Sequence, residues 1–158
     1  MNKDSIQAYS KRIAQANRSQ LVVITYEIII EYMSDAQRVF AEDRKEFEHA
    51  LSKAQDFLKE LIVSLDFEYK VSQELMSIYI FVNKMLIEAK QKNSIENMPR
   101  VQKIMEDLLE SFRKVSEQDV SNPVMQNIQK VYAGLTYGKN DINETAFNEN
   151  ELNRGFRA

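Results

Sequence analysis

Apolar side chains recur at the 3.6-residue spacing of helices along most of this chain, and no run rich in Val, Ile and Thr alternates with polar positions between Asn-Gly or Asp-Gly turns. Asn17-Arg-Ser-Gln20 reads as a capping-box variant that opens a first helix over about Ser19 to Ala41. A second, about Asp43 to Asp66, stripes Phe47, Ala50, Leu51, Ala54, Phe57, Leu58, Leu61, Ile62 and Leu65 on one side and mostly charge on the others. The third, about Val71 to Gln91, carries Leu75, Ile78, Tyr79, Val82, Met85, Leu86 and Ala89. The fourth follows Asn97, tolerates Pro99 in its first turn, and presents Val101, Ile104, Met105, Leu108, Leu109, Phe112 and Val115. Asn122-Pro123 reads as the start of a short fifth helix that ends near Gly134.

All three Gly lie at or beyond residue 134, and no Pro precedes Pro99, so nothing interrupts long helices in the first 98 positions. The class is all-α. Connections of a few residues force successive helices to run antiparallel, which predicts an up-down-up-down four-helix bundle with the short fifth helix appended. The expected organisation is one domain over residues 1–133, including an N-terminal arm at 1–16, followed by a flexible C-terminal tail at 134–158 rich in Gly, Asn and Glu.

Composition narrows the function. With 21 basic and 24 acidic side chains the formal charge is −3, too acidic for sequence-independent nucleic-acid binding. The arm has a local basic surplus from Lys3, Lys11 and Arg12 against Asp4. Absence of Cys removes disulfides, thiolate metal sites and thiol nucleophiles, and a cytoplasmic protein is expected. The longest apolar stretch, Leu21 to Met33, carries Glu27 and Glu31 and is shorter than the roughly 20 residues of a membrane-spanning helix. The opening residues lack the apolar segment of a secretory signal.

Catalytic signatures are equally thin. Glu46-Phe-Glu-His49 has the Glu-x-x-His spacing of di-iron bundles, but such sites need two of these motifs and the chain holds one His, which falls on the solvent side of its helix. That His would also have to serve any Ser nucleophile, with nothing to orient it. No Gly-rich phosphate loop exists before residue 134. Neither enzyme chemistry nor a cofactor is expected.

Two helices carry more apolar surface than a bundle buries. On the first, Leu21, Val22, Ile28, Ile29, Tyr32, Met33, Ala36, Val39 and Phe40 read as the core face, which leaves Val23 and Ile30 on nearly the opposite side with Tyr26 between the groups. On the third, Met76, Ile80 and Ile87 form a second stripe about 130° from the core stripe. Such excess reads as a docking groove for an amphipathic segment of another protein, as a face covered by the arm or fifth helix, or as a homodimer interface. The client contacts are assigned to Val23, Ile30, Met76, Ile80 and Ile87, with Tyr26 flanking.

Asn17 through Glu27, then Lys53-Ala54-Gln55, Ser64-Leu65-Asp66, and Leu75-x-x-Ile-Tyr79-x-Phe81 through Leu86-x-x-Ala89 resemble, in order and spacing, the flagellin-specific export chaperone family FliS over about residues 8–118. The resemblance implies a cytoplasmic antiparallel bundle that binds the C-terminal region of flagellin, prevents premature polymerisation and presents the subunit to the flagellar type III export machinery, without cofactor or catalysis. It also implies that the arm shields the groove, with Tyr9 and Ile13 at the shielding positions. Asn17-Arg18 departs from the family's usual Ser/Thr-Pro cap, Ile28 stands where a small residue is common, and Val115 replaces an aromatic. A homo-oligomeric structural or regulatory bundle is the rival reading.

Overall fold

In the computed structural model, which describes residues 1–125, five helices follow one another: α1 Lys3–Gln15, α2 Arg18–Val39, α3 Arg44–Val63, α4 Lys70–Lys92 and α5 Met98–Gln118. Helices α2 to α5 form the four-helix bundle. Each packs on its predecessor, and α5 closes the ring against α2, so that α2 and α4 occupy diagonal corners. No strand is found among the described residues.

The helix ends follow local chemistry. At α2 the Asn17 side chain accepts from the Gln20 N–H at 2.9 Å while the Gln20 side chain accepts from the Asn17 N–H at 2.9 Å, the reciprocal box read from the sequence. Asp43 caps α3 by accepting from the N–H groups of Lys45 and Glu46. Helix α4 stops at Asn93, whose φ of 47° places it in the left-handed region, and the Ser94 N–H returns to the Ala89 carbonyl at 3.1 Å.

One core runs through the bundle. Tyr26, Ile29, Met33 and Ala36 of α2 meet Phe47, Leu51 and Leu58 of α3, Tyr79, Val82 and Leu86 of α4, and Val101 and Met105 of α5. At its centre the Tyr26 and Tyr79 hydroxyls share a hydrogen bond, and the Tyr26 ring stacks on Phe112 with centroids 5.3 Å apart. Burial, and for Tyr26 the neighbouring Tyr79, drives both phenol pKa values upward, so both are neutral donors and acceptors.

The N-terminal arm is helix α1, capped by Asn2 through the Ser5 N–H and lying on α2. Its apolar positions Ile6, Tyr9 and Ile13 share a helical face. One expectation needs correction: the face of α2 that enters the core is not the one read from the sequence. Val23 joins Tyr26, Ile29 and Met33 inside, whereas Ile28, assigned to the bundle core, lies with Ile24 in a separate cluster under α1. The physical reason is that α2 is apolar on two sides, and the side that faces three helices is decided by packing. Of the short fifth helix, only Val124 and Met125 lie among the described residues, in helical conformation just after Pro123; the rest of it and the tail at 134–158 lie outside them.

Candidate functional site

On the outer side of α2 the chain makes a helical cover. Ala16, Ile24 and Ile28 form a small buried cluster, with Met1, Tyr9, Leu21, Tyr32 and Phe57 packed around it. Ile24 and Ile28 are each only 3% exposed, yet α1 contributes no buried residue of its own. Tyr9 is half-buried and Ile13 exposed on this cover. The α1 helix is thus seated on hydrophobic surface that it covers without being enclosed.

Its edges are held by charge. Glu27 accepts from Arg12 of α1 at 2.6 Å and from Arg113 of α5 at 2.8 Å, tying three helices through one carboxylate. The Met1 ammonium pairs with Asp35, which also accepts from Arg38 at 2.7 Å. Burial and the nearby Glu31 carboxylate push the Tyr9 phenol up to about 12, so it stays protonated. Glu27, Glu31 and Asp35 recur every four residues on one strip of α2, opposite the basic surplus of α1.

This arrangement gives the cover a pH dependence. Burial alone would raise the Glu27 and Asp35 pKa values, but hydrogen bonds and charge from Arg12 and Arg113, and from Arg38 and the N-terminus, lower both overall. The share of this lowering that comes from Arg12 and the N-terminus stabilises the docked state above the ordinary values of 4.5 and 3.8 and is lost as pH falls through the lower folded values, whereas Arg113 of α5 and Arg38 of α2 act whether or not α1 is docked. Amide exchange of α1, corrected for intrinsic rates, should be flat from about pH 8 to 5 and rise sharply toward about pH 3, before the bundle helices lose protection. Parallel loss of protection in α1 and the bundle would contradict this.

The other sequence-assigned residues divide. Val23 and Tyr26 are 7% and 0% exposed, with Tyr26 at the centre of the core; both pack the bundle instead of facing a client. Ile30 is half-buried against the core, and Met76 is half-buried on α4. Ile80 and Ile87 are open, at 54% and 38%. Because α2 and α4 are diagonal, the two apolar surfaces do not form one groove; a chain that touches both has to pass around the bundle. His49 is exposed, and no cluster of metal-binding side chains occurs among the described residues.

An apolar trough at the α3–α4 end of the bundle escaped the sequence reading. One cavity of about 490 Å³ is walled by Val22, Leu65, Val71, Leu75, Leu108 and Val115, and a second of about 570 Å³ by Leu21, Val22, Phe57, Leu61 and Val124; Val22, Leu61 and Ser64 line both. The chain leaves α5 beside it. Asn17, 3% exposed, donates from its side-chain amide to the Asp119 and Ser121 carbonyls at 3.1 and 3.4 Å, and the Val124 N–H donates to the Ala16 carbonyl at 3.0 Å. An Asn17→Asp variant keeps the cap acceptor but sets a carboxylate against two carbonyls. It should cost about 1–3 kcal/mol in urea unfolding, whereas loss of the cap alone would show as an equal effect of Asn17→Ala and no added penalty for Asp.

Comparison with known proteins places this geometry. The family model described as "Flagellar protein FliS" matches residues 1–119. A solved structure described as "Crystal structure of flagellar chaperone from bacteria" superimposes with a TM-score of 0.61 at 15% identity, covering 72% of this chain and 98% of that one. No curated protein matches.

Proposed function

The chain belongs to the FliS family, and from that premise we propose that it binds the C-terminal region of flagellin in the cytoplasm, prevents its premature polymerisation and presents it to the type III export machinery. Flagellin binding and export are the role of the family. The observation that carries the reading for this chain is the cover: Ile24 and Ile28 are buried with Tyr9 of α1 packed against them, beside Met1, Leu21, Tyr32 and Phe57, and α1 buries none of its own residues. A helix held that way can be exchanged for an amphipathic client segment with little loss to the bundle core. Tyr9, which packs on the Ile24 and Ile28 cluster, and Ile13, exposed on the same helix, are then the shielding side chains, and the client takes the place of the helix that carries them.

Ile80, Ile87 and the edge of Met76 supply a second contact on α4, with Ile30 at the margin of the α2 surface. A client end that is disordered when free reaches both by ordering around the bundle, with the ordering cost taken from the contact energy. Action is by binding alone, without cofactor or catalysis, and export components are further protein partners. Hydrogen exchange with and without a flagellin C-terminal peptide tests the reading. Faster exchange in Lys3–Gln15 together with slower exchange around Ile80 and Ile87 is expected. Peptide binding that leaves both segments unchanged would refute it.

A further inference from the structure

We infer that the seat beneath α1 selects its occupant by charge: it prefers an amphipathic client helix that sets a Lys or Arg against Glu27 over a neutral or acidic helix of the same apolar pattern. This client chemistry rests on the displacement of α1 proposed above.

The present occupant shows what the seat takes. Helix α1 lies antiparallel to α2, since the Met1 ammonium meets Asp35 and Arg12 meets Glu27. Between those two pairs the Tyr9 phenol faces Glu31. Glu27, Glu31 and Asp35 recur once per turn along the side of α2 that carries Ile24 and Ile28, and each is met by a donor from α1. The apolar contact and the donor edge are therefore read together.

Glu27 is the most demanding of the three. Its side chain is 14% exposed, and its oxygens are divided between two helices: Oε1 accepts from Arg113 of α5 at 2.8 Å, and Oε2 from Arg12 at 2.6 Å. Arg113 stays when α1 leaves, and Oε2 then turns to water. A client that covers the seat as α1 does strips that water again. A Lys or Arg restores a charge-assisted hydrogen bond, an apolar side chain leaves the oxygen unpaired, and a carboxylate adds repulsion.

A double-mutant cycle tests the selectivity. The unaltered full-length chain and its Glu27→Gln variant are titrated with a flagellin C-terminal peptide and with versions in which each Lys or Arg in turn is replaced by Met. The cost of opening the cover is common to all peptides on one chain and cancels from their ratios. One replacement should weaken binding about 5–20-fold on the unaltered chain and less than about twofold on the Glu27→Gln chain. Equal losses on the two chains, or no loss beyond about twofold, would overturn the selectivity and leave flagellin binding standing. Should Glu27→Gln impair the bundle, Glu at the same peptide position decides on the unaltered chain alone: binding weaker than with Met supports the charge preference, and equal binding overturns it. A flagellin peptide that does not bind at all would overturn the client reading instead. The selectivity is then decided by a synthetic copy of residues 1–15 added to the full-length chain carrying Tyr9→Asp and Ile13→Asp. Its Arg12→Met version should bind about 5–20-fold more weakly, and equal binding of the two copies would overturn the preference.

Discussion

Tyr26→Ala is expected to destabilise the bundle by about 3–5 kcal/mol, the scale of an aromatic lost from a packed core. The ring is fully enclosed, stacks on Phe112 and supplies the hydrogen-bond partner of Tyr79, which is itself 1% exposed. Truncation therefore opens a cavity and strands a buried hydroxyl. Tyr26→Phe separates the two effects: it keeps the packing and leaves Tyr79 unpaired, for about 1–3 kcal/mol. Adding Tyr79→Phe should return part of that loss, because two apolar groups then replace a pair instead of one orphan. Urea unfolding read by circular dichroism measures all three. A stable Tyr26→Ala variant with abolished client binding would restore Tyr26 to the binding surface and contradict its assignment to the core.

Much of the fold is legible in residue order because it is set by local chemistry. Asn17 with Gln20, Asp43, and Asn97 ahead of Pro99 mark helix starts that the structure places within a residue or two. The stripes of α3 and α5 are narrow, so their buried sides follow from spacing alone. Helix α2 is different. From Leu21 to Ile30 only Thr25 and Glu27 interrupt the apolar run, and a helix greasy on two sides does not say which side meets three neighbours and which meets one. The missing signal is electrostatic: Glu27, Glu31 and Asp35 form an acidic strip, and Lys3, Lys11 and Arg12 make the arm its complement. Read together, they place α1 beside that strip and Ile24 and Ile28 beneath it. The trough has no such signature, since Leu65, Val71, Leu108 and Val115 come from distant stretches that only the closed ring of helices brings together.

The second large effect concerns client affinity. If α1 must leave before flagellin docks, the observed affinity is the intrinsic one reduced by the fraction of molecules in which the cover is open. The part of the burial of Ile24 and Ile28 that α1 supplies favours closure by less than the full-burial value of about 1.5–3 kcal/mol for each side chain, since Leu21, Tyr32 and Phe57 also cover them, and ordering a short, mostly polar helix opposes it. A net hold of about 1–3 kcal/mol follows, equivalent to a gain of about 5–150-fold in affinity when the cover is removed. Tyr9→Asp with Ile13→Asp achieves the opening in the full chain, without exposing a new terminus. Deleting residues 2–15 achieves it while keeping Ala16 and the Asn17 cap.

The decisive measurement is a calorimetric titration of a flagellin C-terminal peptide into the unaltered chain, the Tyr9→Asp/Ile13→Asp variant and the α1-deleted chain, each first shown to retain the bundle by cooperative unfolding. Both altered chains should bind the peptide at least about fivefold more tightly than the unaltered one. Equal or weaker binding by both would show that α1 is part of the client's seat or indifferent to it, and would contradict a displaceable cover.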